Sequence, residues 1–259
     1  MLVRVHGRLA GRKRAMKRRP RTTITTVVFD LDDTLYDCYR QRVLRAHHHA
    51  CHALLPKLRD AGLAVAFGPL LRARLKLFHE TRDLENLDRR LCVRLGLRGR
   101  RAARLARIGR EAYFNLPVGR LQLFPETRPT LRRLHRRGVR IFIITAGRPA
   151  VQRQKVRALG LDRSPTISGI YYVPLPSGQS GKQRELAAIL RWEADPARIL
   201  VVGDRPNREI QAANELGMIS VRRRGGEFAG YEPKTRKEKA RFTIRRLPEI
   251  FRLGLRFGH

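Results

Sequence analysis

A chain of 259 residues that is 42% hydrophobic is long enough to bury one good core plus a smaller appended unit, and too apolar to be disordered throughout. The net charge of +35 invites a nucleic-acid reading, but 48 of the 57 basic residues are Arg spread along the whole chain, which points to arginine-rich coding bias instead of a binding stripe. Apolar runs such as residues 27–29 and 141–144 fall far short of the roughly 20 residues of a membrane span, so no membrane role is expected.

In chain order, residues 1–22 carry nine Lys and Arg and no acid, and they lack the apolar stretch of a signal peptide. They read as a basic, disordered N-terminal arm. Residues 24–29 form a short β-branched run ending at Asp30, consistent with a strand buried on both faces. Residues 38–117 carry apolar positions at helical spacing, as in Leu71, Leu75 and Phe78 and again Leu84, Leu87 and Leu91, with punctuation at Pro56, Gly62, Gly68, Pro69 and Gly96. This is a helical insert. From Leu121 onward strands and helices alternate, with strands expected at residues 139–145, 170–173, 198–203, 218–221 and near 242–244. Helices are expected through Leu131 and Leu134 and over residues 149–159, 182–191 and 207–216. The fold class is therefore α/β: a Rossmann-like, mostly parallel, doubly wound sheet over residues 23–37 and 118–259, with an inserted α-helical domain at 38–117. Its ligand site belongs at the carboxyl ends of the strands.

Four polar blocks follow apolar strands and converge on that edge. The first is Asp30-Leu31-Asp32-Asp33-Thr34, where a strand-end carboxylate can attack phosphorus and a second acid two residues on can move a proton. The second, Thr145-Ala146-Gly147-Arg148, offers a hydroxyl and main-chain amides to phosphate oxygens. Third comes Lys182, a neutralising ammonium. The fourth, Gly203 to Glu209, sets two acids, Asp204 and Glu209, five residues apart across a turn, an all-oxygen set that suits Mg²⁺ beside phosphate.

A DxDxT block, a strand-end Thr, a Lys and a GDxxxx-acid block in this order, with a helical insert after the first, resemble the haloacid dehalogenase-like superfamily. The resemblance covers nearly all of the chain after residue 22 and implies a Mg²⁺-dependent phosphatase that hydrolyses a small phosphorylated metabolite through an aspartyl phosphate. It implies Asp30 as nucleophile, Asp32 as general acid and base, and Thr145, Ala146, Gly147 and Lys182 as phosphate holders. The metal would lie among Asp30, Asp32, Asp204 and Glu209, with Glu209, where the family often has Asp, binding directly or through water. Ala146 replaces a frequent Asn, which removes one side-chain phosphate contact. The helical insert corresponds to the family's cap. A phosphomutase would keep every motif. A 2-haloacid dehalogenase has no use for Asp32 or for a cation, and the intact acids weigh against a nucleic-acid-binding protein on a phosphatase-like fold.

The remaining candidates read as structural. His47, His48, His49 and His52 lack a matching acid or cysteine cluster and read as a partly exposed helix near the mouth of the site. Cys38, Cys51 and Cys92 match neither a disulfide framework nor a paired zinc spacing, and a reducing cytoplasm suits them.

Overall fold

The computed structural model describes residues 23–174 and 182–258. The arm expected at residues 1–22 lies outside them. The fold grows from one short strand that is apolar on both faces. In β2 (Thr26–Phe29), which follows the two-residue β1 (Thr23–Ile24), all four residues are buried. Val27 and Phe29 face one apolar cluster and Val28 faces another, as the period of two along a strand requires. Such a strand needs cover on both sides. Helices α5 (Thr127–His135) and α6 (Pro149–Ala158) supply it on one face through Leu131, Leu134 and Val156. Helices α7 (Gln183–Glu193) and α8 (Gln211–Glu215) supply it on the other through Leu186, Ile189 and Ala213.

The strands β3 (Arg140–Ala146), β4 (Gly169–Val173), β5 (Ile199–Gly203), β6 (Ile219–Arg223) and β7 (Phe242–Ile244) complete a six-stranded sheet in the order β4-β3-β2-β5-β6-β7. Every pairing is parallel. The doubly wound α/β architecture expected from the sequence is what the chain adopts. From β2 the chain runs outward to β3 and β4, then crosses back to β5 on the other side. Strand order therefore reverses beside β2, and a crevice at its carboxyl end is the geometric consequence. A pairing absent from the sequence reading is β8 (Arg256–Phe257), which lies parallel to β1. The run expected over residues 24–29 is interrupted at Thr25, whose hydroxyl, with that of Thr26, donates to Glu193.

Between β2 and β3 a π-helical turn (Tyr39–Val43) leads into α1 (Leu44–Asp60), α2 (Phe67–Thr81), α3 (Leu87–Arg94) and α4 (Gly99–Asn115). Pro56 does not break α1. Leu54 and Leu58 on either side of it are fully buried in the insert's core, and that packing outweighs the lost helical hydrogen bond. Gly62 and Gly96 do end helices, at φ of 81° and 86°, where a residue with Cβ is strained.

The insert's core encloses a charged pair. Arg74, fully buried, donates from Nε and Nη2 to the two carboxylate oxygens of Asp88 at 2.8 and 2.9 Å, and from Nη1 to His47 Nδ1. His47 is thus not on an exposed face. Burial, with the Arg74 charge beside it, pushes its pKa down to about 2, and only His48, His49 and His52 face solvent. Gly109 lets α4 close over the pair, since a Cβ there would stand 2.7 Å from the Asp88 carboxyl carbon.

Truncating one partner of a buried pair leaves the other charge uncompensated, at a cost of about 3–5 kcal/mol, whereas apolar replacement of both is often near neutral. Arg74→Met should therefore lower the urea midpoint sharply, and Arg74→Met with Asp88→Leu should recover much of it. A double variant less stable than the single one would show that the pair is a net source of stability.

Candidate active site

Asp30 directly follows β2, and its amide donates to Val202 O in β5 at 2.9 Å, so the first residue past one strand is clamped to its neighbour. Asp204 follows β5 in the same way. Adjacent parallel strands in register thus bring the two acids together from 174 positions apart in the chain. Glu209 arrives by a different route. The turn Pro206–Ile210 departs from helical geometry at Asn207 (φ −86°, ψ 15°) and folds Glu209 back over Gly203. A Cβ at Gly203 would lie 2.2 Å from Glu209 Cγ, so the glycine before Asp204 makes room for the longer acid.

Asp30, Asp204 and Glu209 are all buried and offer oxygens within 4.8 Å of one another. Lys182, at the start of α7 and 3% exposed, reaches into this group. Its ammonium donates to Asp30 Oδ1 and, at 3.1 Å, to Glu209 Oε2. The Glu209 Oε1 atom also accepts from Arg205 N at 2.8 Å, and Thr34 Oγ1 donates to Asp30 Oδ2 at 3.3 Å. Burial raises the pKa of Asp30, opposed by the Lys182 charge. Burial and then Glu209 and Asp30 raise that of Asp204 well above the usual range. Against its own burial, Glu209 is held below the usual carboxylate range by Lys182 and the Arg205 amide. One ammonium reaches two of the three carboxylates and leaves Asp204 without it, and an all-oxygen donor set with surplus negative charge suits a hard divalent cation.

The carboxylate of Asp32 lies outside that group. Lys155 Nζ donates to its two oxygens at 3.0 and 2.8 Å, Tyr36 OH donates at 2.7 Å and Gln152 Nε2 at 3.2 Å. Against the effect of burial, these partners hold its pKa well below the usual range. Asp32, grouped on sequence with the metal-binding residues but given proton transfer as the role of its side chain, keeps that side chain apart from the three clustered acids. Gln152 and Lys155 were not foreseen. They sit three residues apart on the buried face of α6, a spacing that places both on one side of the helix.

Thr145, fully buried, accepts from Gln152 Nε2 at 2.8 Å through Oγ1, and Ala146 O accepts from the same amide at 2.8 Å. The Gly147 amide, expected to face phosphate, instead donates to Val173 O at 2.9 Å, because β4 extends its pairing with β3 by one residue. Gly147 is not a free donor. Its place in the loop follows from φ of 154° and from the Gln152 side chain, which would stand 3.1 Å from a Cβ there.

A family model for haloacid dehalogenase-like hydrolases matches residues 24–217. The chain is 26% identical to the glyceraldehyde 3-phosphate phosphatase of Methanopyrus kandleri over 238 residues, covering 88% of this chain and 95% of that one. It is 29% identical to the protein of the same name from Pyrococcus furiosus over 235 residues, covering 88% and 91%. Among solved structures, a candidate phosphatase from Clostridium difficile superposes with a TM-score of 0.62 at 17% identity, over 90% of this chain and 99% of that one. A haloacid dehalogenase-like hydrolase from Streptococcus pneumoniae gives 0.55 at 18%, over 88% and 97%. These structural likenesses speak to the fold, while the family model matches most of the chain together with its clustered acids. The chain belongs to the haloacid dehalogenase-like hydrolase family.

Proposed function

We propose that the protein is a Mg²⁺-dependent phosphatase that hydrolyses a small phosphorylated metabolite through an aspartyl phosphate on Asp30. The observation that carries this is the buried group of Asp30, Asp204 and Glu209 around the single ammonium of Lys182. Relatives named glyceraldehyde 3-phosphate phosphatase match 88% of the chain, which supports a substrate of triose size. The helices of 38–117 would serve as the cap over the site.

In this reading Asp30, Asp204 and Glu209 hold Mg²⁺, which when bound offsets negative charge on the transferring phosphoryl group. An Asp30 carboxylate oxygen attacks phosphorus, the ester P–O bond breaks, and the departing alkoxide takes a proton from Asp32. Water then attacks phosphorus, giving its proton to Asp32, and phosphate leaves with Asp30 restored. Lys182 neutralises Asp30 and the phosphoryl oxygens throughout. Thr145 and the loop after it would border the phosphate. Asp32 begins paired with Lys155 and carries a proton only once that pairing loosens, a change favoured by the negative charge a phosphate brings to the site.

Hydrolysis of an aryl phosphate should require Mg²⁺ and fall to background on chelation with EDTA; unchanged turnover after thorough chelation would remove the metal from the mechanism. Asp30→Asn keeps the volume and removes the attacking charge, so it should fold as wild type by circular dichroism while losing phosphoenzyme formation. Near-wild-type turnover would end the assignment of Asp30. For Asp32→Asn the expected slowing is about 10²–10⁴, the usual worth of general acid and base help. In single-turnover phosphoenzyme formation an alkyl ester, whose leaving group needs a proton, should suffer more than an activated phenyl ester. Equal slowing on the two would assign Asp32 a structural role.

A further inference from the structure

Arg42 stands apart from the other buried arginines. It is 8% exposed, and alone among the described arginines it has two side-chain donors, Nε and Nη1, buried without a partner. Its Nη2 donates to Leu116 O at 2.9 Å. No described acid pairs with it, whereas the fully buried Arg74 is matched by both oxygens of Asp88. A guanidinium removed from water with donors unmet is costly unless an oxyanion completes it.

Its position says where such an oxyanion would come from. Arg42 lies in the π-helical turn through which the chain enters the insert, and Leu116 lies where the chain leaves it. These two connections are tied to each other. Gln41 Nε2 donates to Gln122 O at 2.9 Å, and Gln122 N donates to Gln41 Oε1 at 2.8 Å. Four residues before Arg42, hence on the same side of the turn, Cys38 Sγ lies 3.8 Å from the Lys155 ammonium that holds Asp32. The guanidinium is thereby set at the seam between insert and sheet, on the Asp32 side of the site. Lys155 is matched by Asp32, so the charge of Arg42 is the unmatched positive one on this side of the crevice.

We infer that Arg42 binds a carboxylate at the end of the substrate remote from the phosphate, so that the substrate class is a short phosphate ester carrying a carboxylate. The inference rests on the phosphatase reading above and narrows it. A planar cation with several donors matches a carboxylate in both charge and geometry, whereas an aldehyde or hydroxyl would answer the donors and leave the charge.

The test compares 3-phosphoglycerate with glyceraldehyde 3-phosphate, which share their length and phosphate and differ in the carboxylate. The full-length wild-type enzyme should show the higher kcat/KM for 3-phosphoglycerate. Arg42→Met should reduce the ratio of the two values about 10- to 100-fold, the worth of one charged hydrogen-bonded contact, chiefly through KM. Arg42→Lys, which keeps the charge with fewer donors, should retain part of the preference and serves as the reading if the Met variant does not fold. A wild-type preference for glyceraldehyde 3-phosphate, or an equal loss on the two esters in both variants, overturns the inference. Wild-type turnover of an aryl phosphate separates the cases. If it is present, only the role of Arg42 fails; if it is absent, the phosphatase reading fails with it.

Discussion

Everything at the carboxyl edge of the sheet answers to one electrostatic problem, the burial of three carboxylates within 4.8 Å of one another. In water such a group would be screened, but in the interior each charge raises the energy of the others, and desolvation adds to each. Lys182 relieves part of this through Asp30 and Glu209, and the Arg205 amide relieves more at Glu209. Asp204 has no comparable donor among the described residues, and its pKa rises accordingly. A fold that tolerates this arrangement does so because the acids sit on the ends of two central strands. The strands themselves are locked by six-stranded parallel pairing and cannot move apart.

The second demand on the structure is to hold the helical insert in register with that edge. Asp33 does much of this. It adopts φ of 56°, costly for a residue with Cβ, and recovers the cost through hydrogen bonds. One oxygen accepts from Tyr39 N at the entry to the insert and the other from Glu227 N in the turn after β6, at 2.9 and 3.1 Å. Gly226 permits the approach, since a Cβ there would stand 2.2 Å from the Asp33 carboxyl carbon. A parallel link runs through Arg82 at the end of α2, which donates to Glu227 at 2.8 Å and lies over the Phe228 ring, with Arg205 over the same ring at 4.2 Å. The residue after Asp204 and the insert thus share one aromatic contact. The acids that would do chemistry and the helices that would select a substrate are coupled through a few short contacts.

What the sequence by itself determined was whatever short-range pattern controls. A four-residue strand that is buried throughout and carries apolar residues on both faces has to be central, so the residue following it has to lie at the sheet's edge; Asp30 was legible for that reason. The same holds for Asp204 after β5, for the alternation of strands and helices that yields a doubly wound sheet, and for the helical spacing of residues 38–117. Only the tertiary structure decided which side chains meet across elements. Lys155 and Gln152 reach Asp32 from 123 and 120 residues away, and nothing local to α6 marks them as partners of an acid. Gly147 reads locally as a phosphate-loop glycine, yet its amide is taken by Val173 O because the β3–β4 ladder continues by one hydrogen bond past the paired Ala146 and Val173. His47 resembles its exposed neighbours in sequence and is buried because a helical turn of 100° per residue carries it, and not them, onto Arg74. Local pattern sets where a residue sits along its own element, while hydrogen bonding and charge pairing depend on distances between elements, which exist only once the chain has closed on itself.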